Sequence, residues 1–292
     1  MSKRPASDCS TSSRRSLEIP AIATEVVENS DKVCLGVLSP ETFECSGASL
    51  QMRVYHETFD DGPGGWFGYT NNAVGPKPLE IRESCAVTRS PWWIDYNHAP
   101  PGAGYMHLLY LLLTRGAPGE HQREVSGPNR FIAGGFGTDF TNAKITLRLR
   151  GELLDRGASL HLLCQGVHGG ICTGWLLTGQ PIRVTPDWSE QTLHCVLDER
   201  QWTCLGSRHD RMDYYGHTPL ATVLGDANAD ILFVLHPLDI APMGSLDADP
   251  HRLRPEKDYP VWRSRLPEGY VLLDEIRIEF PEPEQGHSQH TT

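Results

Sequence analysis

Two stretches of this 292-residue sequence concentrate side chains able to move protons or hold a ligand. The first, Ser90–Tyr105, sets Trp92, Trp93, Tyr96 and Tyr105 around Asp95 and His98. Aromatic faces bind apolar rings and the C–H faces of sugars. Asp95 and His98 supply an acid and a base, and an imidazole titrates near neutrality. Three prolines, Pro91, Pro100 and Pro101, stiffen the stretch. The second, Leu205–His217, holds Arg208, His209, Asp210, Arg211, Asp213 and Tyr214. Arg208 and Arg211 can make forked bonds to carboxylates, whether on a ligand or on their own neighbours. His209 and Asp213 are candidate proton-transfer groups, and Tyr214 a candidate contact. Each stretch also has a plainer reading. The tryptophans of the first can plug one end of the fold, and the second can be an Arg–Asp network that satisfies itself.

The elements that must position these groups read mostly as strands. Lys144–Arg150 alternates strictly, with Ile145, Leu147 and Leu149 on one face and charges on the other. Ile276–Phe280 alternates too, as do Leu160, Leu162 and Cys164, and Leu193, Cys195 and Leu197. His194 then points outward. Leu108–Leu113 and Ile231–Leu235 are unbroken apolar runs, as central strands covered on both faces should be. No long stretch carries a helical period. The breaks are rich in Gly, Pro, Asn and Asp, and the chain holds 28 glycines and 22 prolines. The expected fold class is all-β, a sandwich of two antiparallel sheets with long loops. Residues 1–30 read as a disordered leader, 31–280 as one sandwich domain and 281–292 as a disordered tail. The stretches 60–80, 85–105, 200–219 and 239–268 are expected to be the long loops that carry function.

The domain is framed by two short motifs. Phe59-Asp60-Asp61-Gly62-Pro63-Gly64-Gly65-Trp66 opens it, and Gly269-Tyr270-Val271-Leu272-Leu273-Asp274-Glu275-Ile276-Arg277-Ile278 closes it. The pair resembles the jelly-roll sandwich of carbohydrate-binding modules and galactose-binding-like domains. That resemblance implies neighbouring first and last strands. It also implies a structural Ca²⁺ held with the help of Asp60 and Asp274. Two nearby carboxylates call for a cation or proton between them, and calcium takes six to eight oxygens. On the plainer reading Asp60 caps a turn and Asp274 is solvated.

Composition and missing motifs exclude several classes. With 26 Lys and Arg against 37 Asp and Glu, the net charge is −11, which disfavours nucleic acid and anionic lipid as partners. The apolar run Leu108–Leu113 falls far short of the ~20 residues of a membrane span. The N-terminus lacks the apolar stretch of a secretory signal, so the expected address is cytoplasmic. None of the eight cysteines makes a C-x-x-C pair, and most are expected to be small core residues. A zinc site from Cys164, Cys172 and His161 or His168 has no matching spacing. Gly134-Gly135-Phe136-Gly137 leads to a strand pattern, so no nucleotide or redox cofactor is expected. The expected function is cofactor-independent acid/base cyclisation, isomerisation or elimination of a small, partly apolar molecule. Certain calcium-binding cyclases of natural-product pathways have a similar sandwich. The alternatives are a non-catalytic module for a glycan or other ligand, and a protein-docking surface.

Overall fold

The structure is a computed structural model, and it describes residues 53–71, 75–95, 104–116, 119–207, 213–240 and 266–281. The expected leader and nearly all of the expected tail lie outside those residues. In chain order the strands are β1 (Val54–Glu57), β2 (Trp66–Asn71), β3 (Gly75–Lys77), β4 (Glu80–Arg82), β5 (Cys85–Arg89), β6 (Trp93–Asp95) and β7 (Met106–Leu113). They continue with β8 (Lys144–Leu154), β9 (Ser159–His168), β10 (Ile171–Leu176), β11 (Ser189–His194), β12 (Thr203–Cys204), β13 (Asp230–His236) and β14 (Glu268–Glu279). Among the described residues, the short α-helices between them are α1 (Glu120–Ser126), α2 (Arg130–Ala133) and α3 (Leu220–Gly225). The stretches 60–80 and 85–105, expected as loops, thus contain strands of their own.

Two antiparallel sheets form a sandwich. Sheet A runs β11-β8-β14-β5-β4, with β1 also on β14. Sheet B runs β12-β10-β9-β13-β7-β2-β3, with β6 also on β7. The alternation read in β8 holds: Ile145, Leu147 and Leu149 are buried between the sheets, as are Ile276 and Ile278 of β14. Leu193 and Cys195 follow the same rule, but Leu197 does not and is half exposed. The strand stops at His194, so the period no longer binds Leu197 to the inner face. Cys164 and Cys195 are buried free thiols.

The first and last strands are neighbours, since β1 pairs with β14 from Val54↔Glu279 to Glu57↔Ile276. On the same edge of β14, β5 pairs with Tyr270–Leu273. The bulge between Leu273 and Glu275 marks the change of partner and leaves Asp274 as the extra residue.

The opening motif makes a tight corner after β1. The Glu57 side chain is fully buried. Its Oε1 accepts from Phe59 N–H at 3.0 Å and from Arg130 Nη1 at 2.5 Å. Arg130 Nη2 also donates to the Asp61 carbonyl at 2.6 Å, so one guanidinium ties the turn to α2. Burial pushes the Glu57 carboxyl up, and the Phe59 N–H and the Arg130 charge pull against that rise. Gly64 is at φ +61°, and a Cβ there would lie 1.8 Å from Glu57 Oε2. The motif's glycine is therefore needed for both conformation and space.

Removing the cation while the buried carboxylate remains should be the costly change. Arg130→Met should lower stability by about 3–5 kcal/mol in urea unfolding. Adding Glu57→Gln to it should recover part of that loss. Equal losses in the single and double variants would contradict the clamp.

Candidate functional site

Sheet B is apolar on both faces. On β13, Ile231, Phe233 and Leu235 face sheet A, while Leu232 and Val234 belong to a second cluster on the outer face. On β7, Leu109, Tyr110 and Leu112 point inward, and Met106, Leu108 and Leu111 point outward. Two consecutive inward residues, Leu109 and Tyr110, break strict alternation. The register shift beside Phe233 and Val234 accounts for this, because Leu109 is the additional residue of a bulge. Leu163 of β9 and Phe67 of β2 complete the outer floor.

A groove with a free volume of about 200 Å³ runs over this floor. At one end stand Trp93 and Tyr69, ring centroids 5.1 Å apart and tilted by 47°. At the other end stand Asp230, Gln165 and Tyr215, and Gln122 of α1 also lines the groove. Trp93 pairs with Leu108 and Asp230 with Leu113, so the two ends are separated by about 15 Å of β7.

Asp230 is the ionisable group of interest here. As the first residue of β13 it is flanked by Leu113 on β7 and Gln165 on β9. The turn before it is clamped. Asn228 Oδ1 accepts from Val167 N–H at 2.8 Å, and Asn228 Nδ2 donates to Asp226 at 2.7 Å. Thr114 N–H donates to the Ala229 carbonyl at 3.2 Å, and Arg115 pairs with Asp226 at 2.9 Å. Asp230 Oδ1 is sealed from solvent and has no hydrogen-bond partner. With nothing to offset burial, its carboxyl is raised to about 7. Such a group can take or give a proton near neutral pH. The sequence reading missed Asp230. The available signal was its phase, two residues before Leu232 on the outward-facing set.

The residues expected to carry chemistry are dispersed. Trp93 lines the groove, but Trp92 turns the other way into the core, its Nε1 donating to Thr88 Oγ1 at 2.8 Å. Adjacent residues entering a strand face opposite sides, so the two tryptophans cannot share a ligand. Tyr105 is buried in the same core. Asp95 pairs with Met106 at the end of β7 away from Asp230. Tyr214 accepts from Cys172 N–H at 2.7 Å through its carbonyl, and its ring packs edge-on against Tyr215 at 4.9 Å. This brings the 213–215 turn to the polar end, with Tyr215 in the groove and Asp213 exposed. Tyr96, His98, Arg208, His209 and Arg211 lie outside the described residues. Of the zinc candidates, Cys164 faces the core opposite Trp175, while Cys172 lies opposite Val167 on the other face of sheet B.

The calcium expectation meets a different donor set. Asp274 is ion-paired with Arg148 and accepts from Cys85 Sγ at 3.5 Å. Asp60 accepts from Thr58 Oγ1 at 2.7 Å, and hydroxyl bonds from Ser84 and Thr58 hold its carboxyl below the usual range. Among the described residues no group of three or more His, Cys, Asp and Glu is placed to hold a metal. A guanidinium thus neutralises Asp274 in this structure, at the place where the resemblance called for a cation. Among the described residues no helix is long and apolar enough to cross a membrane.

No protein-family model and no curated protein matches the sequence. Among solved structures, a chain of "CryoEM structure of Mud Crab Dicistrovirus" aligns at 14% identity over 94% of this chain and 91% of that one. The TM-score is 0.15, too low to support any inference.

Two outcomes follow from this geometry. A folded-state carboxyl raised to about 7 is fully compatible with the fold below the unfolded value near 4, and its stability contribution is lost as pH rises through 7. Asp230→Asn should therefore raise stability at pH 8 by up to about 4 kcal/mol relative to the parent and flatten the pH profile between 4 and 8. An unchanged urea-unfolding profile would contradict the desolvated carboxyl. The melting temperature of the parent protein should not change on adding a strong chelator or millimolar calcium. A calcium-dependent rise would restore the metal.

Proposed function

We propose that this protein is a cofactor-independent enzyme that binds a small, partly apolar organic molecule in the outer-face groove of sheet B and transfers protons on it through Asp230. The observation that carries the reading is the partnerless Asp230 carboxyl at the polar end of an apolar groove. Burying an ionisable group without a partner is costly, and such groups concentrate at functional sites. A carboxyl balanced near neutrality is also matched to general acid/base work.

The chemistry needs no oxidant or metal. The Asp230 carboxylate takes a proton from a C–H or O–H of the substrate. It returns that proton to another atom of the same molecule, so a double bond or ring closure moves with no net change in composition. Leu111, Leu163, Leu232 and Phe67 would hold the apolar body and exclude water. The amides of Gln122 and Gln165 would orient the polar end. Loss of such a group typically costs 10²–10⁴ in rate. The resemblance of the chain's ends to carbohydrate-binding modules supports a ligand on this scaffold. The Trp93–Tyr69 pair favours a second reading, a non-catalytic glycan binder, because tilted rings also pack on sugar faces.

Small molecules that raise the melting temperature should be incubated with the protein in D₂O and followed by NMR. The enzyme reading expects deuterium to appear at one carbon, or an isomer to form, with the parent protein. It expects neither with Asp230→Asn, although the variant still binds. Micromolar binding of a defined oligosaccharide without exchange or turnover would replace this reading with the glycan one.

A further inference from the structure

We infer that the groove on sheet B selects ligands carrying a basic nitrogen, a protonated amine placed against Asp230 with an apolar body lying towards Trp93. This deepens the proposed function and rests on the same groove being the ligand site.

Asp230 lines the groove as a partly exposed residue, and no protein donor reaches its Oδ1. Among the described residues lining the groove there is no Lys, Arg or His. The donor that Asp230 lacks can be supplied by a ligand's ammonium, through a charge-assisted hydrogen bond. Other ligand classes match less well. An anion would face the Asp230 charge in a low-dielectric setting and approach a chain of net charge −11. A neutral apolar molecule would cover the carboxyl and leave it unsatisfied. A sugar carries hydroxyls around its whole rim, whereas the carboxylate and the Gln165 amide sit together at one end of the groove. A molecule with one cationic end and one apolar end matches that asymmetry. The free volume of about 200 Å³ suits a body about the size of one aromatic ring with a short arm.

An ammonium beside Asp230 also favours the carboxylate form. Amine binding would thereby set Asp230 in the state that accepts a proton from the substrate.

The test is calorimetric binding of three matched probes: phenethylamine, phenethyl alcohol and hydrocinnamate. The parent protein should bind phenethylamine about tenfold or more tightly than the alcohol, with hydrocinnamate weakest. Asp230→Asn should remove the advantage of the amine while leaving the alcohol's affinity within a few fold. Trp93→Ala should weaken amine and alcohol alike and leave their ratio unchanged, which places both probes in this groove. Equal affinity for amine and alcohol, a preference for the carboxylate, or an amine preference that survives Asp230→Asn would overturn the inference. These outcomes are separate from proton exchange in D₂O, so selectivity for amines can fail while acid/base turnover stands, and the reverse.

Discussion

The burial of apolar side chains on both faces of sheet B is the constraint on which the rest depends. A sheet in a sandwich needs one apolar face, and sheet B has two, because β13 and β7 carry apolar side chains at most positions on both faces. The inner face meets sheet A. The outer face makes a second cluster around Leu232, Val234 and Leu108, and the groove lies over it. The same surface sets the electrostatics. Asp230 stands in phase with Leu232, at the edge of a surface that excludes water, and its carboxyl rises for that reason alone. Each apolar residue of the floor therefore contributes twice, by its own burial and by desolvating one carboxyl.

Elsewhere an arginine compensates a buried or partly buried carboxylate. Glu57 meets Arg130, Asp274 meets Arg148, and Asp226 meets Arg115. Asp230 stands apart from those three. Breaking one member of a buried pair is costly, whereas a carboxyl in a groove can be compensated by whatever enters. The two framing motifs belong to the compensated set. They close a corner and a bulge, and arginine supplies the positive charge at both.

Much of this architecture is legible in sequence because period and burial are directly linked. The alternation in Lys144–Arg150 and Ile276–Phe280 can be satisfied only by strands with one covered face, and both are such strands. The framing motifs likewise bring β1 beside β14. The site is harder to read for identifiable reasons. Asp230 follows Asn228 and Ala229 and looks like the end of a turn, so its place in β13 is hidden until the register with Gln165 is known. Trp92 and Trp93 look like a pair because they are adjacent, yet adjacency in a strand separates them. Which loops share a rim depends on pairings hundreds of residues apart in places. The meeting of Trp93 with Tyr215 over one groove is set by β6 on β7 and by the bridge of Tyr215 to Cys172.

The most direct measurement is the titration of the Asp230 carboxyl itself, followed by carbon NMR of the parent protein with Asp230→Asn to assign the signal. The account expects a midpoint near 7 in the free protein, moving down when phenethylamine fills the groove. A midpoint near 4, as for a solvated aspartate, would contradict it, because the carboxyl would then be neither desolvated nor in need of a partner.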